Sequence, residues 1–295
     1  MQTTETNRGS LSDEQMKFYD REGYLVLERL LTDDDMAGVR AALTQKVDLI
    51  AAELVRDGLV PDAMVDVPFK YRLARLFENL TDQHFLKYGR SWRDRFPGYF
   101  DLMNNPKIVD AVESLIGSEL FANPVFNARP KVPKVGAGAV PWHQDKSYWP
   151  DANANPVITV WIPLVDSTHE NGCLHLIPGT HRHRVMTHDT EHETGAAFLA
   201  TEPAAVKEAS RKRAILPLPV PAGSAILFND RLLHMSTPNK SDHVRWSVDL
   251  RYQPTDQDPM LGHGVGFLVR SRAHPERVAT LEDWMAERPE HAVLA

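Results

Sequence analysis

Two rhythms of apolar residues divide the chain near Pro124. Before that point the spacing is helical. Met36, Val39, Leu43, Val47, Ile50 and Leu54 recur at intervals of three and four, which lines them along one face of a helix that must pack on something. Thr32, followed by three aspartates, caps that helix where negative charge suits the N-terminal dipole. A shorter helix opens at Ser12 or Asp13, carries Met16, Phe18 and Tyr19, and lets Leu11 pack back on its first turn. Gly23 ends it, and Tyr24 to Leu27 reads as a short strand. After Pro124 the apolar runs shorten and alternate with Gly, Pro, Asn and Asp, the signature of a compact all-β unit. Expected strands are Phe126 to Val132, Trp142 to Tyr148, Val157 to Leu164, Leu174 to Ile177, Ala214 to Leu218, Ser224 to Asn229, Arg231 to Met235 and Arg245 to Tyr252. About eight strands is the number of a double-sheet jelly roll. Between them Arg182 to Arg213 reads as one long loop, a length often used as a lid.

Composition narrows the function classes. With 295 residues, 42% hydrophobic and 25% charged, the chain can bury a sizeable core as one elaborated domain. The expected layout is a disordered segment 1–10 and a single domain 11–295. Within that domain lie a mainly helical part 11–123, a β core 124–255 and a C-terminal extension 256–295. A net charge of −7 argues against an extended nucleic-acid footprint. One cysteine, Cys173, excludes an internal disulfide and fits a reducing compartment. No apolar stretch approaches the roughly 18 residues of a membrane span, and Met1 to Ser10 lacks a signal-peptide core, so a cytoplasmic enzyme without membrane or nucleic-acid partners is expected.

Candidate chemistry gathers at His143-Gln144-Asp145, with His234 far downstream. Two imidazoles and one carboxylate can occupy one face of an octahedral metal and leave three positions free, the ligand set of non-haem Fe(II) oxygenases. In an extended strand, residues two apart point to the same side, so His143 and Asp145 reach one ion while Gln144 faces away. The triplet alone carries little weight, because about one His-any-Asp is expected by chance in a chain of this composition. Alone, His143 reads as a structural histidine and Asp145 as a turn residue. His234 follows two leucines and precedes Ser236-Thr237-Pro238, which puts it at a strand end.

The wider context is PWHQDKSYWP from Pro141, the strand from Val157, HENGCLHLIPGTH from His169, the run Gly223 to Phe228, Leu232-Leu233-His234, and Arg245-Trp246-Ser247-Val248-Asp249-Leu250-Arg251-Tyr252. Together with LSDEQMKFYDREGYLVLERLLTDDDMAGVRAAL near the N-terminus, these residues resemble the phytanoyl-CoA dioxygenase family of iron and 2-oxoglutarate enzymes. The resemblance runs from about Leu11 to about Tyr252 and is weakest between about Asp57 and Gly98. It implies an all-β core with added helices: a double-stranded β-helix, a cupin-like jelly roll, buttressed by N-terminal helices. It implies Fe(II) on His143, Asp145 and His234, with 2-oxoglutarate and O₂ as cosubstrates. The reaction implied is hydroxylation of an unactivated C–H bond of a small organic molecule, a natural-product intermediate among the options, with succinate and CO₂ as co-products. Desaturation, epoxidation and cyclisation stay open. Halogenation does not, since related halogenases replace the carboxylate with a small residue.

By the same resemblance Arg245 matches the arginine that binds the distal carboxylate of the keto acid, through bidentate charge-assisted hydrogen bonds. Ser236 matches a hydroxyl that assists it, and Arg251 competes one strand-length further on. Asn127 and Lys131 are candidates for contacting the keto acid, and with Arg129 they alternate along one strand face, which a solvated edge strand would also do. Thr159 is a candidate donor to the cosubstrate. Trp161 walls the cavity or fills the core; Tyr148 and Trp149 line a substrate entrance or pack under a loop. His181, His183, His188 and His192 lack the cysteines and spacing of a zinc site and read as a solvated loop. The arginines from Arg72 to Arg95 read as a lid or a helical surface. Two other classes remain: a zinc hydrolase on the same two histidines and carboxylate, and a non-catalytic jelly-roll binding protein. Substrate identity and oligomeric state are not legible.

Overall fold

The computed structural model describes residues 10–89, 92–135, 139–148, 157–189, 200–257 and 264–287. Apart from Ser10, the segment expected to be disordered lies outside them. The N-terminal part contains α1 (Asp13–Glu22), β1 (Tyr24–Leu27), α2 (Asp33–Arg56), α3 (Phe69–Leu76), α4 (Asp82–Tyr88), α5 (Pro97–Met103) and α6 (Pro106–Ile116). Strands β2 (Leu120–Ala122), β3 (Asn127–Ala128), β4 (Val140–His143), β5 (Ile158–Pro163), β6 (Leu174–Leu176), β7 (His188–Asp189) and β8 (Ala200–Thr201) follow. The chain continues through α7 (Pro203–Lys212), β9 (Leu216–Leu218), β10 (Ala225–Asn229), β11 (His234–Ser236), β12 (Ser247–Pro254), β13 (Phe267–Arg270) and α8 (Leu281–Met285).

Local chemistry starts the helices where the sequence says. Ser12 and Gln15 close a capping box on α1, and Gly23 ends it in the left-handed region at φ 81°. Thr32 and Asp35 do the same for α2. The six apolar residues of its expected face are all buried. They pack on Ile158, Val160 and Ile162 of β5 and on Val248, Leu250 and Tyr252 of β12, one face of the larger sheet. Helix α5 approaches α2 so closely that a Cβ on Gly98 would lie 2.2 Å from the Gly38 carbonyl carbon.

Seven strands form the larger sheet in the order β1-β10-β5-β12-β2-β13, with β3 also paired to β12; four form the smaller, β4-β11-β6-β9. The two sheets make the expected jelly-roll core without closing into a barrel. Between them lies a second apolar cluster of Tyr24, Trp161, Leu174, Leu176, Ile226 and Phe228 among others. Because strand side chains alternate, β12 turns Ser247, Asp249, Arg251 and Gln253 away from the helices, and all four are buried. A polar face buried between two sheets is the frame of the site.

Several expectations change. Arg182 to Arg213 is not one loop: α7 forms there, started by Pro203 at its first turn and ended by Arg211 and Lys212. Asp145 does not extend the strand of His143, since β4 stops at His143 and Asp145–Tyr148 is a 3-10 turn. The expected strand Phe126 to Val132 shortens to β3 plus an isolated bridge at Lys131. Residues 256–295 are no mere extension, because β13 pairs with β2 and Trp284 of α8 joins the main core. Among the described residues, no helix is long and apolar enough to cross a membrane.

Candidate functional site

Antiparallel pairing of β4 with β11 sets His143 and His234 directly opposite one another, with ring centroids 4.1 Å apart. Each ring directs Nδ1 to the carbonyl two residues before it, Pro141 for His143 and Leu232 for His234, both at 2.9 Å. A carbonyl only accepts, so Nδ1 carries the hydrogen and Nε2 keeps its lone pair, the tautomer that a metal needs. The turn after β4 brings Asp145 Oδ1 to 3.5 Å from His143 Nε2 and 4.0 Å from His234 Nε2. Burial, then the neighbouring His143, pushes the His234 imidazole down to about 3, so it stays neutral. His143, Asp145 and His234 are the residues brought together as a possible metal-binding group among the described residues.

The second oxygen of Asp145 is already engaged. Thr159 Oγ1 donates to Oδ2 at 2.7 Å, and Arg251 reaches the same atom with Nη2 at 2.9 Å and Nε at 3.3 Å. Thr159 and Arg251 are Cα partners in the β5–β12 pairing, which explains why both arrive at one point. Burial works to raise the Asp145 carboxyl, yet Arg251 and the histidines hold it well below the usual carboxylate range. Arg251 Nη1 also donates to Asp249 Oδ2 at 2.6 Å. Asp249 accepts in addition from Asn127 Nδ2 at 2.9 Å and Arg129 Nε at 2.8 Å. Its carboxyl, raised by burial but lowered more by Arg129 and Arg251, is held at about 2.

A different arrangement surrounds Arg245. The isolated bridge Lys131↔Arg245 places these two cations side by side, each 2% exposed. Lys131 Nζ donates to Ser236 Oγ at 2.7 Å and to the Thr237 carbonyl; Arg245 Nη1 donates to Ser247 Oγ at 2.8 Å, with the guanidinium over the Trp161 ring at 5.2 Å. Arg245 Nε is buried without a hydrogen-bond partner, and neither cation has a carboxylate partner among the described residues. Burial first, then mutual repulsion, pushes the Lys131 amine down to about 6; burial and Arg129 push Arg245 down to about 10. Gly172 holds the close approach behind Lys131, for at φ 87° a Cβ there would meet the Lys131 stem at 2.9 Å and the Thr237 carbonyl at 2.3 Å.

One cavity of ≈180 Å³ joins the two groups, lined by His143, Asp145 and His234 on one side and by Lys131, Arg245 and Ser236 on another. Thr159, Trp161 and Arg129 also line it, while Asn127 turns instead to Asp249 and Arg93. Ser236 serves Lys131 rather than Arg245. Tyr148 packs with Val125 and Val157, edge-on to His143 at 6.3 Å; Trp149 lies outside the described residues. Arg72 is no lid residue, being buried against Asp48 at 2.6 Å. His181 Nε2 donates to the Asp20 carbonyl, and no histidine of its segment joins a metal cluster among the described residues. Sequence reasoning missed Asp249, Phe85 and Trp92; the apolar–polar alternation of β12 was the available signal for Asp249.

The profile of the phytanoyl-CoA dioxygenase (PhyH) family matches residues 19–247. Phytanoyl-CoA dioxygenase domain-containing protein 1 of Mus musculus is 29% identical over 303 residues, covering 84% of this chain and 97% of its own. The peroxisomal phytanoyl-CoA dioxygenase of Bos taurus is 24% identical over 248 residues, covering 82% and 68%. Among solved structures, SnoK, a non-heme alpha ketoglutarate dependent carbocyclase from nogalamycin biosynthesis, aligns with a TM-score of 0.57 and 23% identity over 85% of this chain and 88% of its own. EctD from S. alaskensis with 2-oxoglutarate and 5-hydroxyectoine aligns with 0.56 and 21% over 85% and 78%. These alignments show a shared fold.

Proposed function

This chain belongs to the phytanoyl-CoA dioxygenase family, and from that premise we propose that it is an Fe(II)- and 2-oxoglutarate-dependent oxygenase. Its reaction on this reading is hydroxylation of an unactivated C–H bond of a small organic molecule, with succinate and CO₂ as co-products. The observation that carries it is the pairing, in one cavity, of a His143–Asp145–His234 donor set with two buried basic side chains, Lys131 and Arg245, that have no carboxylate partner among the described residues. Two imidazole Nε2 atoms and one carboxylate oxygen suit a ferrous ion, and such a donor set leaves three positions for other ligands. When bound there, ferrous iron with the keto acid and O₂ supplies the oxidising chemistry.

The chain's own residues do the rest. Arg245 and Lys131 hold the distal carboxylate of 2-oxoglutarate, which supplies an anion to a buried guanidinium and favours the protonated form of the amine beside it. Ser236 fixes the Lys131 amine, Ser247 fixes the Arg245 fork, and the Trp161 face backs it. Thr159 and Arg251 orient Asp145. The apolar walls exclude water from the reacting end. A zinc hydrolase on the same donor set would leave Lys131 and Arg245 without a counter-ion.

Two measurements test the reading. Anaerobic addition of 2-oxoglutarate to the Fe(II)-loaded protein should raise a weak visible absorption, and admission of O₂ should yield succinate. Full iron loading with neither signal, or turnover indifferent to O₂, overturns it.

A further inference from the structure

The cavity carries more positive charge than iron and a keto acid account for. Even with Lys131 left out, the three arginines Arg129, Arg245 and Arg251 line it against only two carboxylates, Asp145 and Asp249. A divalent cation and a divalent keto acid cancel one another, so the loaded site keeps its surplus. Arg93 adds to that surplus from just outside, donating through Nε to Asn127 Oδ1 at 2.6 Å beside Asp249.

The surplus is concentrated at the mouth. Arg251 spends its guanidinium on Asp145, Asp249 and the Val125 carbonyl. Arg129 and Arg93, by contrast, each turn only the inner Nε toward the Asp249 network, and the Nη pair of neither has a partner among the described residues. Arg129 is about one-third exposed and Arg93 is exposed, and both segments are tied by backbone bonds, the Arg129 amide donating to the Ser247 carbonyl at 2.7 Å and the Ala128 amide to the Trp92 carbonyl at 2.9 Å. Next to them Trp92 lines the cavity and holds a buried indole N–H with no partner. Partial burial, then repulsion from Arg129 and Arg251, keeps the Arg93 guanidinium below the usual arginine range, which marks it as short of anions rather than saturated with them. Phe85 and Trp92 supply an apolar wall for the part of a ligand that continues inward.

We propose that the primary substrate is a small organic molecule bearing an oxyanion group, carboxylate or phosphate, which docks on the outward forks of Arg93 and Arg129 at the cavity mouth. An oxyanion offers acceptors matched to two planar forks, and the carbon skeleton then enters along Phe85 and Trp92 toward the donor triad. This deepens the oxygenase reading and rests on it. The two anion sites divide the labour: the deep Lys131–Arg245 pair takes the keto acid, the shallow Arg93–Arg129 pair takes the substrate.

The test uses the full-length protein loaded anaerobically with Fe(II) and saturating 2-oxoglutarate, with the visible band as proof of loading. Matched sets of small aryl-alkyl compounds, each a carboxylate, a phosphate ester and a neutral amide on one skeleton, are titrated into it and then assayed for stimulated succinate formation in air. Binding and stimulation should follow charge, with carboxylate or phosphate ester ahead of the amide by about ten-fold or more, and the preferred oxyanion identifies the source. Arg93→Gln, a surface change that removes one side-chain hydrogen bond, and Arg129→Gln should each weaken anion binding about ten-fold, while Arg93→Lys recovers part of it. If amides bind as well as their anions, or if both glutamine variants bind anions normally, or if no anion binds, the proposal is overturned. Absence of the visible band at the outset overturns the oxygenase reading itself.

Discussion

Replacing Arg245 with methionine separates the cost of the empty site from the benefit of the filled one. In the folded protein this guanidinium is 2% exposed, abuts Lys131 across an isolated bridge, and donates only to Ser247. Methionine keeps the length and removes the cost of burying a charge, but forfeits the charge-assisted bond to Ser247 and the cation's contact with the Trp161 ring, so these terms oppose one another and unliganded stability should change by about 1–2 kcal/mol at most. The loss appears when the keto acid binds. Two charge-assisted hydrogen bonds to a buried carboxylate are each about 1.5–3 kcal/mol, and Lys131 retains part of the attraction. A net loss of about 2–4 kcal/mol corresponds to a rise in Kd of about 30- to 1,000-fold. Anaerobic titration of 2-oxoglutarate into the Fe(II)-loaded variant, followed by the visible band, reads this directly. Thermal unfolding with and without the keto acid gives an independent value, because stabilisation by ligand follows its ratio to Kd. A variant that binds iron fully and 2-oxoglutarate within three-fold of the parent refutes the assignment of the deep cation pair.

Other expectations follow from the same geometry. The Lys131 amine sits at about 6 without an anion, so it is largely neutral at pH 7.5; a carboxylate beside it raises that value, and binding takes up a proton. Calorimetry in buffers of different ionisation enthalpy should detect the uptake, with 2-oxoglutarate affinity falling as pH rises above about 6; proton-neutral binding contradicts it. Arg251→Met removes the grip on Asp145 Oδ2 and should weaken metal binding about 10- to 100-fold in a Co(II) titration, with far-UV circular dichroism retained. Asp35 accepts from the Thr32 amide and hydroxyl and from Asn105, and pairs with Lys107; burial raises its carboxyl, but these partners hold it far below its ordinary value. A depressed folded-state value means stability fully present above about pH 4 and lost progressively as pH falls from there toward the depressed value, so Asp35→Ala should cost about 1–2 kcal/mol at pH 7 in urea unfolding and a measurably smaller amount at pH 3.

How much was legible depended on how local the cause was. Ser12, Gly23 and Thr32 act within four residues of themselves, and the structure has each where the pattern puts it. The α2 stripe needs only a 3.6-residue period, and every member is buried. The His143–Asp145 proximity was legible, but its mechanism was not: a strand alternation was expected, and a 3-10 turn does the work. Helix α7 was hidden because its short sequence, PAAVKEASRK, has only Ala209 buried, which leaves little apolar periodicity to read. Most instructive is β12, where polar Asp249 and Arg251 alternate with Val248 and Leu250. That pattern ordinarily means one face toward water. Here a second sheet, built from residues up to about a hundred positions away, covers the polar face, and no local rule reports that.

That covered face also explains why Arg251 and Arg245, two buried arginines six positions apart, have opposite roles. Arg251 is flanked by two carboxylates, which raise its affinity for its own proton and lock it in place; Arg245 has no carboxylate partner among the described residues and is held by burial below its ordinary value. On the proposed reading the first is therefore a structural charge and the second a receptor for the keto acid. The distinction matters for the number of open positions at the donor triad. A facial triad leaves three when its carboxylate binds through one oxygen, whereas a carboxylate binding through both would leave two, too few for a bidentate keto acid together with O₂. With Oδ2 of Asp145 saturated by Thr159 and Arg251, only Oδ1 faces His143 and His234. The polar face of β12 would thus set the coordination count of a bound metal from behind the ligand, and a carboxylate freed by Arg251→Met should bind Co(II) with a visible spectrum altered in shape as well as in affinity.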